Sequence, residues 1–312
     1  MHLYSRNRRR TPMNSSVAVI VTYNRKVLLE ECIQAIQAQK NASCDILIVD
    51  NASTDGTHEH IQKYIDNYTV FYHNTGANLG GAGGFAAGME KAVQMGYEYI
   101  WAMDDDTIVQ EDSLQYLLKA DKDLNGNYGF LSSVAYWTDG NLCNMNIQRR
   151  TYRKKIEDYT SEYSNAVMAT FVAFFIKSSV IKEMGLPIAE FFIWSDDFEY
   201  SRRISKKYPC YVVTKSKVTH KMNSNLKVGI EQESKDRLWR YNYLYRNEVY
   251  VYRREGLAGY LYLFMRVALH MTRIILKAKQ DKGEKLKIVW KSFMSGFKFK
   301  PAIQYVKNEG EK

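Results

Sequence analysis

Cysteine is scarce and scattered in this chain. Cys32, Cys44, Cys143 and Cys210 are the only four in 312 residues. No two form a C-x-x-C pair, which excludes a zinc ribbon, a redox dithiol and a small disulfide scaffold, and favours a reducing compartment. Met1 to Pro12 is basic and holds no apolar core, so it does not read as a secretory signal; residues 1–14 read as a flexible basic leader. No internal repeat and no low-complexity segment occurs. Leu257–Leu276 comes nearest to a membrane span, but Arg266, His270 and Arg273 interrupt it. Each charge at a bilayer centre costs about 2.5–3.5 kcal/mol on insertion scales, which argues against a span. What is present, 46% hydrophobic and 25% charged residues, excludes a disordered chain or a coiled coil and suffices for a real core.

Charge is unevenly placed. Of the net +10, residues from Lys235 onward hold 18 Lys and Arg against 7 Asp and Glu, whereas the preceding stretch holds 26 against 27. Such a block points to a polyanionic partner, either nucleic acid or an anionic membrane surface. Arg266, His270, Arg273 and Lys277 follow at spacings of 4, 3 and 4, which sets them on one helical face. A basic amphipathic helix lying in the membrane interface fits this pattern; a helix packed on the core with a solvated basic face is the alternative. Tyr241, Tyr243, Tyr245, Tyr250 and Tyr252 alternate with Arg240, Arg246, Arg253 and Arg254 and leave the same choice, interface or packing face.

Along the first half, short β-branched runs alternate with helical periods. Val17–Thr22 and Asp45–Asp50 read as buried strands. Lys26–Gln39 carries apolar residues at helical spacing, and Asp55 is placed to cap a second helix. Val70–Tyr72 is a third strand, the Gly-rich stretch Gly76–Gly88 leads into a helix, and Tyr97–Met103 is a fourth strand ending at Asp104-Asp105-Asp106. This alternation implies a parallel sheet covered by helices, with ligands at the strands' carboxyl ends. Beyond it, Asn127–Trp137 and Ala166–Ile176 read as longer strands around a Tyr- and Arg-rich stretch. A helix starts near Ser195, Tyr211–Thr214 is a short strand, and from Glu231 onward only helices are expected.

Four features carry chemistry. Alternate residues at a strand end point the same way, so Asp104 and Asp106 can converge on one ion while Asp105 faces elsewhere. Hard oxygen ligands with open positions suit Mg²⁺ or Mn²⁺; the plainer alternative is an acidic turn capping the next helix. Gly81-Ala82-Gly83-Gly84-Phe85-Ala86 matches a relaxed G-x-G-x-x-A dinucleotide pattern, but after the third strand instead of the first, and without the lysine of a P-loop. Glycines before a helix favour a diphosphate, and close helix–sheet packing is compatible with that. In Phe191–Arg203, Trp194 precedes Asp196, Asp197 and Glu199 at a helix start. These acids serve either the helix dipole or a carboxylate base beside a stacking ring. His220 alone says little.

Together these residues resemble glycosyltransferase family 2, the inverting enzymes of the GT-A fold, from about Val17 to His220. Val19–Arg25 looks like the family's opening strand and nucleotide-contacting turn, and Ile48–Thr57 like its second signature, whose Asp50 contacts the donor base. Asp104–Asp106 falls where the metal-binding D-x-D lies. Asn78–Phe85 and Trp194–Tyr200 look like the galactofuranosyltransferase and rhamnosyltransferase branch.

The resemblance implies an α/β fold, a GT-A-type mostly parallel sheet flanked by helices, over residues 15–230. Residues 231–312 would form a helical basic C-terminal extension. It implies Asp197 as general base, Asp104, Asp106 and His220 as ligands of Mn²⁺ or Mg²⁺, and Trp194 and Asp196 in the acceptor pocket. Thr22, Tyr23, Asn24, Arg25, Asp50, Asn78, Gly80, Gly81, Asp104 and Asp105 would face a nucleotide-sugar donor. UDP-galactofuranose is the favoured donor, with dTDP-rhamnose second. The acceptor implied is a glycan or polyprenyl-diphosphate-linked glycan of bacterial surface polysaccharide synthesis, capsule or cell wall. The enzyme would be cytoplasmic and peripheral on the inner face of the cell membrane, against an anionic membrane surface. The branch's bifunctional polymerases are about twice as long as these 312 residues, so addition of a single sugar is the expectation. A nucleic-acid-binding protein is the rival from another class, but it leaves the carboxylate clusters unexplained, so no nucleic acid is expected. An NAD-dependent oxidoreductase is the third reading, weakened by the misplaced glycine pattern.

Overall fold

A computed structural model describes residues 13–67, 70–226 and 228–307; most of the leader, residues 1–12, lies outside them. Alternation along strand β1 (Ser16–Thr22) sets up the layers. Val17, Val19 and Val21 belong to one core, and Ala18 and Ile20 to the other, because successive strand side chains face opposite sides. β2 (Asp45–Asp50), β3 (Val70–Asn74) and β4 (Tyr99–Asp104) lie parallel in the order β3-β2-β1-β4. Helices α1 (Lys26–Gln37), α2 (Thr57–Asp66) and α3 (Gly80–Gln94) make the crossovers. Asp55 accepts a hydrogen bond from the Thr57 amide at 3.1 Å, but Gly56 stands at the α2 cap, in the left-handed region.

Past β4 the sheet becomes mixed. β5 (Thr107–Val109), α4 (Ser113–Asp123), β6 (Phe130–Tyr136), β7 (Tyr163–Asn165) and β8 (Phe174–Lys177) follow. After α5 (Ser178–Met184) and α6 (Asp196–Ser205) comes β9 (Tyr211–His220). β8 enters antiparallel to both β4 and β6, and β9 lies parallel to β6 and antiparallel to β5. Two expectations differ here. Of Ala166–Ile176 only Phe174 onward is strand; the preceding residues are buried but irregular, with Ala173 at φ 58°. Conversely β9 runs six residues past Thr214, with a register shift against β6, and ends on His220 itself.

The last quarter consists of α7 (Arg240–Tyr252), α8 (Gly256–Lys277) and α9 (Lys282–Lys298). Tyr241, Tyr245, Tyr250 and Tyr252 are buried among these helices and against Phe191 and Met168, so the tyrosines of α7 are a packing face. Among the described residues, no helix is long and apolar enough to cross a membrane.

Candidate active site

Parallel pairing aligns Thr22 with Asp50 and Val21 with Asp104, so the turns after β1, β2 and β4 meet at one edge of the sheet, where open α/β sheets bind ligands. β5 pairs with β9 so that Thr107 lies opposite His220. That register carries His220 to the acidic turn from a distance of more than one hundred residues. Its Nε2 lies 2.8 Å from Asp106 Oδ1, and its Nδ1 2.9 Å from Asn146 Oδ1.

Asp104, Asp106 and His220 each offer a ligand atom, all within 4.8 Å of one another. Two carboxylates and an imidazole are a donor set suited to Mn²⁺ or Mg²⁺. The charge balance agrees with a cation there. Burial and the neighbouring Asp106 push Asp104 well above the usual carboxylate range, and burial pushes Asp105 up to about 6. Burial opposes ionisation of Asp106 too, but the hydrogen bond and charge of His220 outweigh it and hold Asp106 low. His220, despite its own burial, is raised to about 10 by Asp106. A metal ion held here would take the place of the His220 Nε2 proton. Nδ1–H, donating to the Asn146 carbonyl oxygen, already fixes the tautomer that a ligating Nε2 needs.

Asp105 turns the other way. It accepts from the Thr22 hydroxyl at 2.8 Å and from Arg25 at 3.3 Å, while Arg25 also reaches Asp106 at 2.7 Å. Thr22 is thus buried beneath the acidic turn, and Arg25, half-exposed, neutralises it. Asp50 is buried and accepts from the Tyr72 hydroxyl at 2.6 Å and the Ser53 amide at 2.8 Å. Tyr23, in the turn after β1, is 42% exposed. Asn24, at φ 55°, accepts from the Thr54 amide at 2.7 Å, tying the first two turns together.

From Gly80 onward the glycine-rich stretch is itself helix, α3, and only Gly76–Leu79 lies before it. A Cβ on Gly84 would lie 2.5 Å from Val21, and one on Gly88 2.5 Å from Val19, so these glycines let the helix pack directly on β1. Gly81 faces open space. Asn78 accepts from the Gly80 amide at 2.9 Å. Gly80 has φ +69°, and a Cβ there would sit 2.1 Å from the Phe192 carbonyl oxygen; only glycine allows that approach.

Phe192 belongs to the loop before α6, where Phe192, Trp194 and Ser195 all take positive φ, at 62°, 66° and 69°. Strain at three non-glycine residues persists only where surroundings enforce it, and here α7 does so. The buried Asn247 donates its side-chain amide to the carbonyls of Phe191, Ile193 and Trp194 at 3.0, 3.2 and 2.9 Å. The Trp194 ring meets Tyr241 edge-on, with centroids 5.2 Å apart. Asp196 and Asp197 open α6. Burial and the neighbouring Asp197 raise Asp196; burial, aided by the charge of Asp104, raises Asp197 to about 7. Asp197 is ringed by protein yet keeps part of its surface open to solvent. Glu199 pairs with Arg203 at 3.0 Å and takes no part.

Arg149, Asn146 and Asn247 escaped the sequence reading. Arg149 lies over the Phe198 ring at 4.4 Å and its charge works to lower Asp197. It sits in the Tyr- and Arg-rich stretch, whose composition singled out no position. Asn146 and Asn247 stand in contexts with no motif.

Comparison with known proteins gives the family and the fold. The sequence profile of glycosyl transferase family 2 matches residues 17–185. A galactofuranosyltransferase, GlfT1 of Mycobacterium tuberculosis, is 26% identical over 201 residues, covering 62% of this chain and 65% of its own. An abequosyltransferase, RfbV of Salmonella typhimurium, is 39% identical over 102 residues, 31% of this chain and 30% of its own. These matches span less than two thirds of the relatives' length. Among solved structures, GalNAc-T7 with UDP, GalNAc and Mn²⁺ superposes with a TM-score of 0.61 at 16% identity, covering 89% of this chain and 54% of that one. The mannosyltransferase PcManGT from Pyrobaculum calidifontis, in complex with GDP-Man and Mn²⁺, gives 0.56 at 13% identity over 94% and 77%. The fold is that of the GT-A glycosyltransferases, a central sheet flanked by helices. With over half of its length matched by the profile, this chain belongs to glycosyl transferase family 2.

Proposed function

We propose that this chain is an inverting, metal-dependent glycosyltransferase. It moves galactofuranose from UDP-galactofuranose onto a glycan or polyprenyl-diphosphate-linked glycan in bacterial surface polysaccharide synthesis, at the inner face of the cell membrane. The observation that carries the reading is the convergence of Asp104, Asp106 and His220 within 4.8 Å, beside a carboxylate, Asp197, raised to about 7.

Asp104, Asp106 and His220 would hold Mn²⁺ or Mg²⁺, which when bound supplies positive charge to the donor's diphosphate. Tyr23, Asn24 and Asp50 stand where the nucleotide would lie, with Tyr23 free to stack on the base. Thr22 acts through Asp105, holding it against Arg25. Asn78, Gly80 and Gly81 shape the start of α3, whose amide end favours a phosphate. Trp194 and Asp196 line the acceptor side. Asp197 takes the proton from the acceptor hydroxyl as that oxygen attacks the anomeric carbon. The bond from that carbon to the diphosphate breaks, and its electron pair leaves with the nucleoside diphosphate. One displacement with one base inverts the configuration; a base with a pKa near 7 is well matched to the task.

Galactofuranose is favoured by the similarity to GlfT1, the longer of the two matches. dTDP-rhamnose is the second reading, from the branch resemblance of Asn78–Phe85 and Trp194–Tyr200; the shorter match, RfbV, is named for another sugar, abequose. The test is binding and turnover of UDP-galactofuranose, UDP-galactopyranose, dTDP-rhamnose and NAD, with Mn²⁺, Mg²⁺ or EDTA. Metal-dependent use of UDP-galactofuranose alone is expected. Preference for dTDP-rhamnose would overturn the donor, and failure of every sugar nucleotide would overturn the reaction.

A further inference from the structure

The polarity of α8 is reversed relative to an ordinary surface helix. Arg266 and His270, read from the sequence as part of a basic outer face, point inward. Arg266 forms an ion pair with Glu248 of α7 at 2.5 Å, and His270 Nδ1 lies 2.9 Å from the Tyr245 hydroxyl. Only Arg273 and Lys277, at the helix end, are exposed. The opposite face carries Leu257, Leu261, Phe264, Met265 and Leu269, each 47–78% exposed, and the last turns add Ile275 and Leu276. These positions recur at three- and four-residue intervals, so they form one stripe along the helix.

α9 widens the stripe into a surface. Trp290 and Met294 are exposed and meet α8 across a shallow groove of about 520 Å³ lined only by apolar side chains, Phe264, Met271, Trp290, Phe293, Met294 and Phe297 among them. Exposed apolar area of this extent marks an interaction site. α9 and the segments that flank it add exposed cations: Lys279, Lys282, Lys287, Lys291, Lys298 and Lys300. In the same two helices Glu284 is the one acid among the described residues, and it pairs with Lys235.

We infer that the outer face of α8 and α9 docks on an anionic lipid bilayer, its leucines, Phe264 and Trp290 entering the headgroup–acyl boundary and its lysines meeting the anionic headgroups. This excess of like charge decides the occupant. A second copy placed face to face would set lysines against lysines, since a two-fold contact pairs a patch with itself, whereas an anionic surface complements them. The inference deepens the lipid-linked acceptor reading and takes its purpose from it. α7 connects the two, because the helix that receives Arg266 also holds the Trp194 loop through Asn247.

The experiment is flotation of the full chain with phosphatidylcholine vesicles, with and without phosphatidylglycerol, together with Trp290 emission, assigned by Trp290→Phe. Binding to the anionic vesicles, a blue shift of Trp290 and weakening by salt are expected. Phe264→Gln with Met265→Gln, both exposed and so compatible with folding, should lower binding by about tenfold or more. Lys287→Glu with Lys291→Glu should lower it similarly on anionic vesicles alone. Absence of binding to any vesicle, native-like binding by the apolar variant, or a dimer that this variant dissociates would each overturn the inference. Donor binding measured on the same variants separates the two claims: docking lost with donor binding retained is the expected variant behaviour, whereas docking intact in a chain that binds no sugar nucleotide would sink the catalytic reading alone.

Discussion

Asn247 of α7 donates to the carbonyl oxygen of Trp194 at 2.9 Å, and the same amide reaches the carbonyls of Phe191 and Ile193. One fully buried side chain thus holds a loop with three positive-φ residues immediately before Asp196 and Asp197. Asn247→Leu removes the donors and leaves three carbonyls without them, at a cost of about 1–3 kcal/mol. The expected outcome is a lowered melting temperature with sugar-nucleotide binding retained and transfer reduced chiefly in kcat. Unchanged transfer would show that the loop keeps its shape without α7.

Asn146 sets the ring of His220 without being a candidate ligand itself. Replacing such a partner weakens metal affinity by about 10–100-fold. Asn146→Leu should therefore raise the Kd for Mn²⁺, read by Mn²⁺ paramagnetic resonance, while circular dichroism stays native. An unaltered Kd would remove His220 from the proposed ligand set.

The charge state of Asp197 sets a pH dependence. Burial raises it to about 7 and the Arg149 charge works against that rise, so the base is protonated and idle at low pH and ionised above about 7. kcat/KM for transfer should climb through this range and level off. Arg149→Met removes the opposing cation, so the rising limb should move to higher pH, with activity recovered there. A limb that stays in place would show that another group limits the rate.

The parallel half of the fold was legible because its central strands, β1, β2 and most of β4, are buried on both faces. β2 occupies Asp45–Asp50, the range its β-branched run marks out, and the turns after β1, β2 and β4 carry short motifs. The antiparallel half was less legible. Ala166–Ala173 is as apolar as a strand, yet it is buried irregular chain; composition reports burial and not pairing. Lys215–His220 extends β9 through a register shift that no local pattern encodes. For α8 the periodicity separated two faces correctly, but periodicity does not say which one turns inward. Glu248 on another helix decided that for Arg266. The site was readable where a motif names the residue, as at Asp104–Asp106. It was unreadable where a lone Asn or Arg serves from a distant element, as Asn146, Arg149 and Asn247 do.

The central claim is that Asp197 removes the acceptor proton beside a donor held on the acidic turn. Its most direct measurement is transfer and donor binding, side by side, for the native chain and Asp197→Asn with Mn²⁺ present. The account predicts a transfer rate lower by about 10²–10⁴-fold, with donor affinity and melting temperature close to native and product of inverted configuration from the native chain. Transfer by Asp197→Asn at the native rate would contradict it.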